Sequence, residues 1–128
     1  MFDEGKPLFL QIAESVEDSI VDGSLPEESQ APSTNELAAF FRINPATAAK
    51  GVNMLVDKGV LYKRRGIGMF VAAGARDQVV RERRAAFARN YVDPLLAEGR
   101  KIGLDAAELE ALVRERASAY ATDERNLP

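Results

Sequence analysis

Ile43-Asn44-Pro45-Ala46-Thr47-Ala48-Ala49-Lys50-Gly51-Val52-Asn53-Met54-Leu55-Val56-Asp57-Lys58 is the stretch whose reading decides the fold. Asn44 is a good N-cap, because its side chain can accept from the backbone N–H groups of the first helical turn. Pro45 then takes the first helical position, where its missing N–H costs nothing and its φ is already set. Ala48, Gly51, Val52 and Leu55 recur at helical spacing and mark an inner face of small and branched residues. Asn44, Ala46 and Thr47, with Lys50 one turn on, are expected to face outward. A polar leading end on a close-packing helix is what DNA recognition requires, since the N-terminal residues of such a helix meet the base edges of the major groove.

Upstream, Ser33-Thr34-Asn35-Glu36 is a capping box, with Ser33 capping forward and Glu36 reaching back. It opens a short helix to about Phe41 that buries Leu37, Ala38 and one of Phe40 and Phe41. Residues 42–44 leave only a tight connection to the helix at Asn44, so the pair reads as a helix-turn-helix. Before it, Gly23-Ser24-Leu25-Pro26-Glu27-Glu28-Ser29-Gln30-Ala31-Pro32 is read as an irregular loop, on its two prolines and small polar residues. Before that, Leu8, Ile12, Val16 and Ile20 form the apolar stripe of an amphipathic helix, with Pro7 in its first turn and Gly23 past its end. Residues 1–6 read as a loose lead-in.

Downstream, Gly59 suits a left-handed C-cap. Val60 to Arg64 and Met69 to Ala72 read as paired strands about a turn at Arg65-Gly66-Ile67-Gly68. A hairpin in this position is a wing. Lys63, Arg64 and Arg65 at its base can reach phosphates, and its glycines can approach a narrow groove without a steric barrier. Ala73 and Gly74 mark a boundary. Beyond it Val79, Val80, Phe87 and Tyr91 give a second helical stripe, which Asp93-Pro94 should break, with Asp93 capping a new segment. That segment turns Leu95 and Leu96 inward. Asp105 and Glu108 form another capping box, opening a helix that buries Leu109, Leu112, Val113, Ala117 and Tyr120 and frays from Thr122.

The chain has 128 residues, no cysteine and no histidine. Disulfides, thiolate chemistry and histidine-based triads are therefore excluded, and a metal site would need carboxylates alone. No cofactor is implied. No apolar run is long enough for a membrane span and no secretory leader is evident, so a cytoplasmic protein is expected. The formal net charge of −3 argues by itself against nucleic acid. Its distribution argues the other way. Residues 1–41 hold Lys6 against nine acids. Residues 42–76 hold Arg42, Lys50, Lys58, Lys63, Arg64, Arg65 and Arg76 against Asp57 alone. Such a concentration is the footprint of a DNA-binding face.

The chain is thus expected to be mainly helical (α+β): a winged helix-turn-helix over residues 1–74 and a helical dimerisation tail over 75–128. The tail cannot form much of a core alone. Phe87, Tyr91, Leu95 and Leu112 are more apolar bulk than one helical pair hides, which points to a homodimer. The expected partner is double-stranded DNA, read as an inverted repeat by two recognition helices. The alternative is a winged-helix module that binds proteins without operator specificity. An enzyme is not indicated, for want of a nucleophile–base pair, a phosphate loop or a metal cluster. A small-molecule effector is left open, at the dimer interface or beside the winged helix, because one tail lacks the size to enclose a ligand pocket of about 300–1,000 Å³.

These residues resemble a known family. P-L-x-x-Q-I from Pro7, P-S-x-x-E-L-A from Pro32, and G-V-L-x-x-R-x-G-x-G-x-F-V from Gly59 are together similar to the N-terminal domain of GntR-type bacterial transcription regulators. The Asn44-Pro45-x-Thr47 start and the short helical tail resemble the YtrA subfamily, whose members dimerise through C-terminal helices and often repress neighbouring transporter genes. The resemblance implies a repressor with DNA contacts at Ser33, Asn35, Asn44, Ala46, Thr47 and Lys50, and at Arg64, Arg65, Gly66 and Gly68 in the wing. Several positions depart from the family pattern. Asn35 stands where arginine is usual, Ala46 where a polar residue is, Gly51 where alanine is, and Pro26-Glu27 replaces a Pro-Gly turn.

Overall fold

The computed structural model describes residues 4–123, with side chains to Ala121. The beginning of the expected lead-in and the end of the expected frayed terminus lie outside the described residues. Two compact units divide between Arg83 and Arg84.

In the first unit, α1 (Leu8–Val21), α2 (Thr34–Phe41) and α3 (Pro45–Asp57) are followed by a hairpin of β1 (Leu61–Arg64) and β2 (Gly68–Val71) and by most of α4 (Ala75–Phe87). Pro7 stands just outside α1 as its N-cap, with an extended ψ of 137°. The inner face of α1 buries Ile12, Ala13, Val16 and Ile20, while Leu8 is half-buried. At α2 the capping box is complete: Ser33 Oγ accepts from Glu36 N–H at 3.0 Å, and Glu36 Oε1 accepts from Ser33 N–H at 3.0 Å. Arg42 ends this helix in the left-handed region at φ 56°. Leu37 and Ala38 are buried and Phe41 packs against the core, while Phe40 is 79% exposed. α3 sends Ala48, Gly51, Val52 and Leu55 inward. These side chains meet α1, Val60, Leu61, Val71 and Val79 in one apolar core.

The hairpin pairs Leu61 with Val71 and Arg64 with Gly68. Gly68 therefore belongs to the ladder, and the turn is Arg65-Gly66-Ile67. The segment read as an irregular loop is in part a third strand-like edge. Glu28 N–H donates to Val71 O at 2.7 Å, Val71 N–H to Ser29 O at 2.9 Å, and Ala31 N–H to Met69 O at 2.8 Å. Pro26 and Pro32 flank this stretch, so neither proline sits where a ladder N–H is needed.

The second unit holds the end of α4, a π-helical turn (Ala88–Val92), α5 (Asp93–Lys101) and α6 (Ala106–Asp123). The expected break at Asp93-Pro94 does not occur. Asp93 is itself helical (φ −60°, ψ −46°), and its N–H bonds to Ala88 O, five residues back. Widening the turn by one residue takes the preceding carbonyls out of the proline ring's path, so the helix runs on without a cap. The second capping box does form, with Glu108 N–H donating to Asp105 Oδ1 at 2.8 Å and Asp105 N–H to Glu108 Oε1 at 3.2 Å. α5 and α6 meet at Gly99, where a Cβ would lie 2.9 Å from Leu109 Cδ2. Leu109 alone is buried in α6. Leu95, Leu96, Leu112, Val113, Ala117 and Tyr120, expected inside, are exposed within one chain. A single helical contact of this size leaves their apolar faces open. No helix among the described residues is long and apolar enough to cross a membrane.

Candidate nucleic-acid interface

The leading end of α3 is organised by Asn44, whose Oδ1 accepts from Ala46 N–H at 2.8 Å. That bond uses the amide oxygen and leaves the side-chain NH₂ as a donor on an exposed residue. Ala46 and Lys50 are exposed, and Thr47 is half-buried rather than fully outward. Lys50 Nζ lies 4.1 Å from the centre of the Phe9 ring, so its ammonium rests on an aromatic face. Ser33 and Asn35, at the start of α2, are also exposed. The Ser33 hydroxyl accepts the capping bond and keeps its own proton to donate.

In the wing, Lys63, Arg64, Arg65 and Gly66 are exposed and Gly68 is half-buried. Arg64 is not a free cation on a stalk. Its guanidinium lies 4.5 Å from the Phe70 ring centre and 5.9 Å from that of Tyr62. Tyr62 and Phe70 stack at 6.0 Å across the strands, giving Arg64 a flat shelf. Tyr62 Oη donates to Glu28 Oε2 at 2.7 Å, and this bond, chiefly, raises the phenol pKa above 10.0. The wing turn is held from below by Gln30, whose Nε2 donates to Ile67 O at 3.1 Å. Gly68 has φ 140°, and a Cβ there would lie 2.7 Å from Gln30 Nε2. Glu28 and Gln30 are therefore wing-positioning residues that the sequence reading missed. The alternation of Glu28 and Gln30 about Ser29, two polar residues on one side of a short extended run, was the one available sign.

The basic segment is sorted by the fold. Lys58 is spent internally, at 3.1 Å from Glu17 Oε2 and 2.7 Å from Glu82 Oε2. Arg76 Nε donates to Val21 O at 3.0 Å. Arg42, Lys50, Lys63, Arg64 and Arg65 remain without an ion pair among the described residues, and they sit on the helix-turn-helix and the wing.

Comparison with known proteins bears on these same residues. The pattern of bacterial regulatory proteins of the gntR family matches residues 8–71, half of the chain. The chain is 28% identical over 108 residues to the uncharacterized HTH-type transcriptional regulator YhcF of Bacillus subtilis, covering 84% of this chain and 88% of that protein. It is 23% identical over 109 residues to the HTH-type transcriptional repressor YtrA of the same organism, covering 85% and 83%. The crystal structure of a GntR-family transcriptional regulator from Bacteroides thetaiotaomicron superposes with a TM-score of 0.78 at 30% identity, over 88% of this chain and 98% of that one. The matched residues span α1 to the end of the wing, the elements that carry the polar helix start and the unpaired cations. The chain belongs to the gntR family of bacterial regulatory proteins, as a winged helix-turn-helix, DNA-binding transcriptional regulator.

Proposed function

We propose that the chain acts as a homodimeric cytoplasmic repressor reading an inverted-repeat operator in double-stranded DNA. The observation that carries this reading is the start of α3: Asn44, Ala46 and Lys50 are open to solvent on a helix whose other face lies in the core. Thr47, Asn44 and Ala46 read base edges in the major groove, with the Ala46 methyl suited to a thymine methyl. Ser33, Asn35 and Lys50 contact the backbone beside the groove. Lys63, Arg64 and Arg65 neutralise phosphates, and Gly66 and Gly68 let the wing approach closely. The sign of regulation follows YtrA, which is named a repressor.

The dimer is assigned to the tail, at residues 75–128 of the chain. Phe87, Tyr91, Leu95 and Leu112 are all exposed there. An open groove of about 560 Å³, lined by Leu95, Leu109, Leu112, Val113 and Tyr120 among others, runs along the same unit. Contiguous apolar surface of this kind marks an interaction site. Two recognition helices would then enter successive major grooves about 34–36 Å apart. Release from DNA is assigned to a small-molecule effector that alters helix packing in the assembled tail. Loss of DNA affinity on adding a metabolite, with dimer mass unchanged, is its expected sign.

The test is selection of bound sequences from random duplex DNA at two salt concentrations. An inverted repeat whose enrichment weakens with salt is expected. No enriched motif, with no binding even at low salt, would replace this reading with a protein-interaction module.

A further inference from the structure

The start of α4 is bonded to the winged helix at every turn. Glu27 of the loop after α1 accepts from Gly74 N–H through its carboxylate. Arg76 donates to Val21 O, and Gln78 Nε2 donates to Lys58 O at 2.8 Å. Beyond these lies an ionic cluster around one buried carboxylate. Glu17, on the inner side of α1, is 6% exposed. Lys58 Nζ lies 3.1 Å from its Oε2 and Arg83 Nη2 lies 3.8 Å from its Oε1. Lys58 also reaches Glu82 at 2.7 Å, and Arg83 reaches Asp18 at 2.6 Å and the Glu14 carbonyl at 3.1 Å.

Anchoring alone does not call for this arrangement. Ala75 and Val79 already bury themselves in the core, and apolar burial is non-directional. Hydrogen-bonded ion pairs on two sides of a helix fix its roll and tilt as well. An exposed pair contributes little, but stripping one cation from a buried carboxylate leaves uncompensated charge. Lys58 is the residue that ends α3, so the recognition helix is tied directly to α4, which runs on past Arg83 to Phe87 as one helix.

We infer that Glu17, Lys58 and Arg83 are positioning residues that fix the direction in which α4 leaves each winged helix, and thereby set the half-site separation the regulator accepts. They touch neither base nor phosphate in this role. The inference rests on the proposed reading of two half-sites by a dimer.

The experiment uses the full chain and duplexes bearing the selected half-site, either alone or as two copies whose separation is stepped one base pair at a time. The parent is expected to show one preferred separation. Arg83→Ala, at a partly exposed side chain, should bind a single half-site within about twofold of the parent. It should lose about tenfold or more at the preferred separation and much less at its neighbours, because a misdirected second module forfeits its avidity. The double reversal Asp18→Arg with Arg83→Asp should restore the parent profile. Glu82→Gln, at the exposed end of the cluster, supplies a second flattened profile should Arg83→Ala fold poorly. Unchanged profiles in Arg83→Ala and Glu82→Gln overturn the inference while leaving the two-half-site reading intact. Equal losses on single and paired half-sites also overturn it, because the residue then supports only the winged helix itself. A parent without any preferred separation overturns the two-half-site reading, and this inference with it.

Discussion

Gly51 of α3 passes so close to Phe9 of α1 that a Cβ at position 51 would lie 2.7 Å from the Phe9 carbonyl oxygen and 3.3 Å from Ile12 Cβ. The nearest obstacle is backbone, which cannot rotate away. Helix propensity alone would favour Gly51→Ala by about 1 kcal/mol. The crossing reverses the sign: a net loss of about 1–2 kcal/mol is expected, as for other overpacked sites. Urea denaturation decides it, and a gain in stability would mean that α1 and α3 separate freely. A relative with alanine here needs a wider α1–α3 crossing.

Thr47 and Arg65 are assigned different tasks, and their variants should differ in kind. Thr47→Ala is expected to relax preference at one base pair, a change of about 1–3 kcal/mol in discrimination. Arg65→Ala should weaken binding to all duplexes alike and lower the salt slope by about one. Titrations against the selected operator and its single-base variants, at several salt concentrations, compare the two. Identical patterns would dissolve the assignment.

Gln30→Ala removes the bond to the Ile67 carbonyl without touching the basic residues of the wing. The expected result is faster amide exchange at the turn residues and a loss of DNA affinity, with global stability reduced by no more than about 1 kcal/mol. Unchanged affinity would show that the wing finds its place on DNA without this strut.

Leu112→Glu places a charge on an apolar residue that is 41% exposed in the single chain. If the tail pairs two copies, sedimentation should show the monomer, with circular dichroism retained and affinity for a two-half-site operator collapsing toward that for one. A dimer of unchanged mass would move the interface elsewhere.

The Lys58 cluster also predicts a pH profile. The Lys58 hydrogen bond, opposed by partial burial, holds Glu82 below its ordinary 4.5. Burial tends to lower Lys58, but its bonds to Glu82 and Glu17 outweigh that and hold it above 10.5. A lowered carboxyl adds stability above its ordinary value, and that contribution fades as pH falls through the folded one. A raised ammonium adds stability below its ordinary value and loses it as pH climbs through the folded one. Stability from this pair is therefore level across neutrality and declines below about pH 4.5. Glu82→Gln should shallow the acid limb in thermal melts taken across pH and leave the neutral plateau's slope unchanged. An acid limb as steep as the parent's would assign the decline to other carboxyls.

Local signals made most of the DNA-binding unit legible. Ser33 with Glu36, and Asn44 with Pro45, announce helix starts because capping is settled within four residues of chain. The wing followed from two short apolar runs about glycines. What escaped depended on partners remote in sequence. Ser29 and its neighbours pair with β2 through backbone groups, which leave no mark on side-chain composition. Lys58 looked like part of the DNA-facing charge because Glu17 and Glu82, which neutralise it, lie 41 and 24 residues away. Leu112 and Tyr120 follow a helical pattern that says an apolar face must be covered, but not whether the same chain covers it. Pro94 was read by its local rule, which the widened turn before it suspends.

That widened turn bears on how the chain can vary in length. An apolar series spaced by four residues, such as Phe87, Tyr91 and Leu95, drifts about 40° per step around a regular α-helix. The extra residue accommodated between Ala88 and Val92 takes up part of that drift and keeps the Phe87 and Tyr91 rings 5.3 Å apart. Deleting one residue there would return the segment to regular α-helical winding and swing everything from Leu95 onward around the axis by about 100° relative to α4. An insertion or deletion tolerated in a surface loop is thus, at this point, a rotation of half the tail.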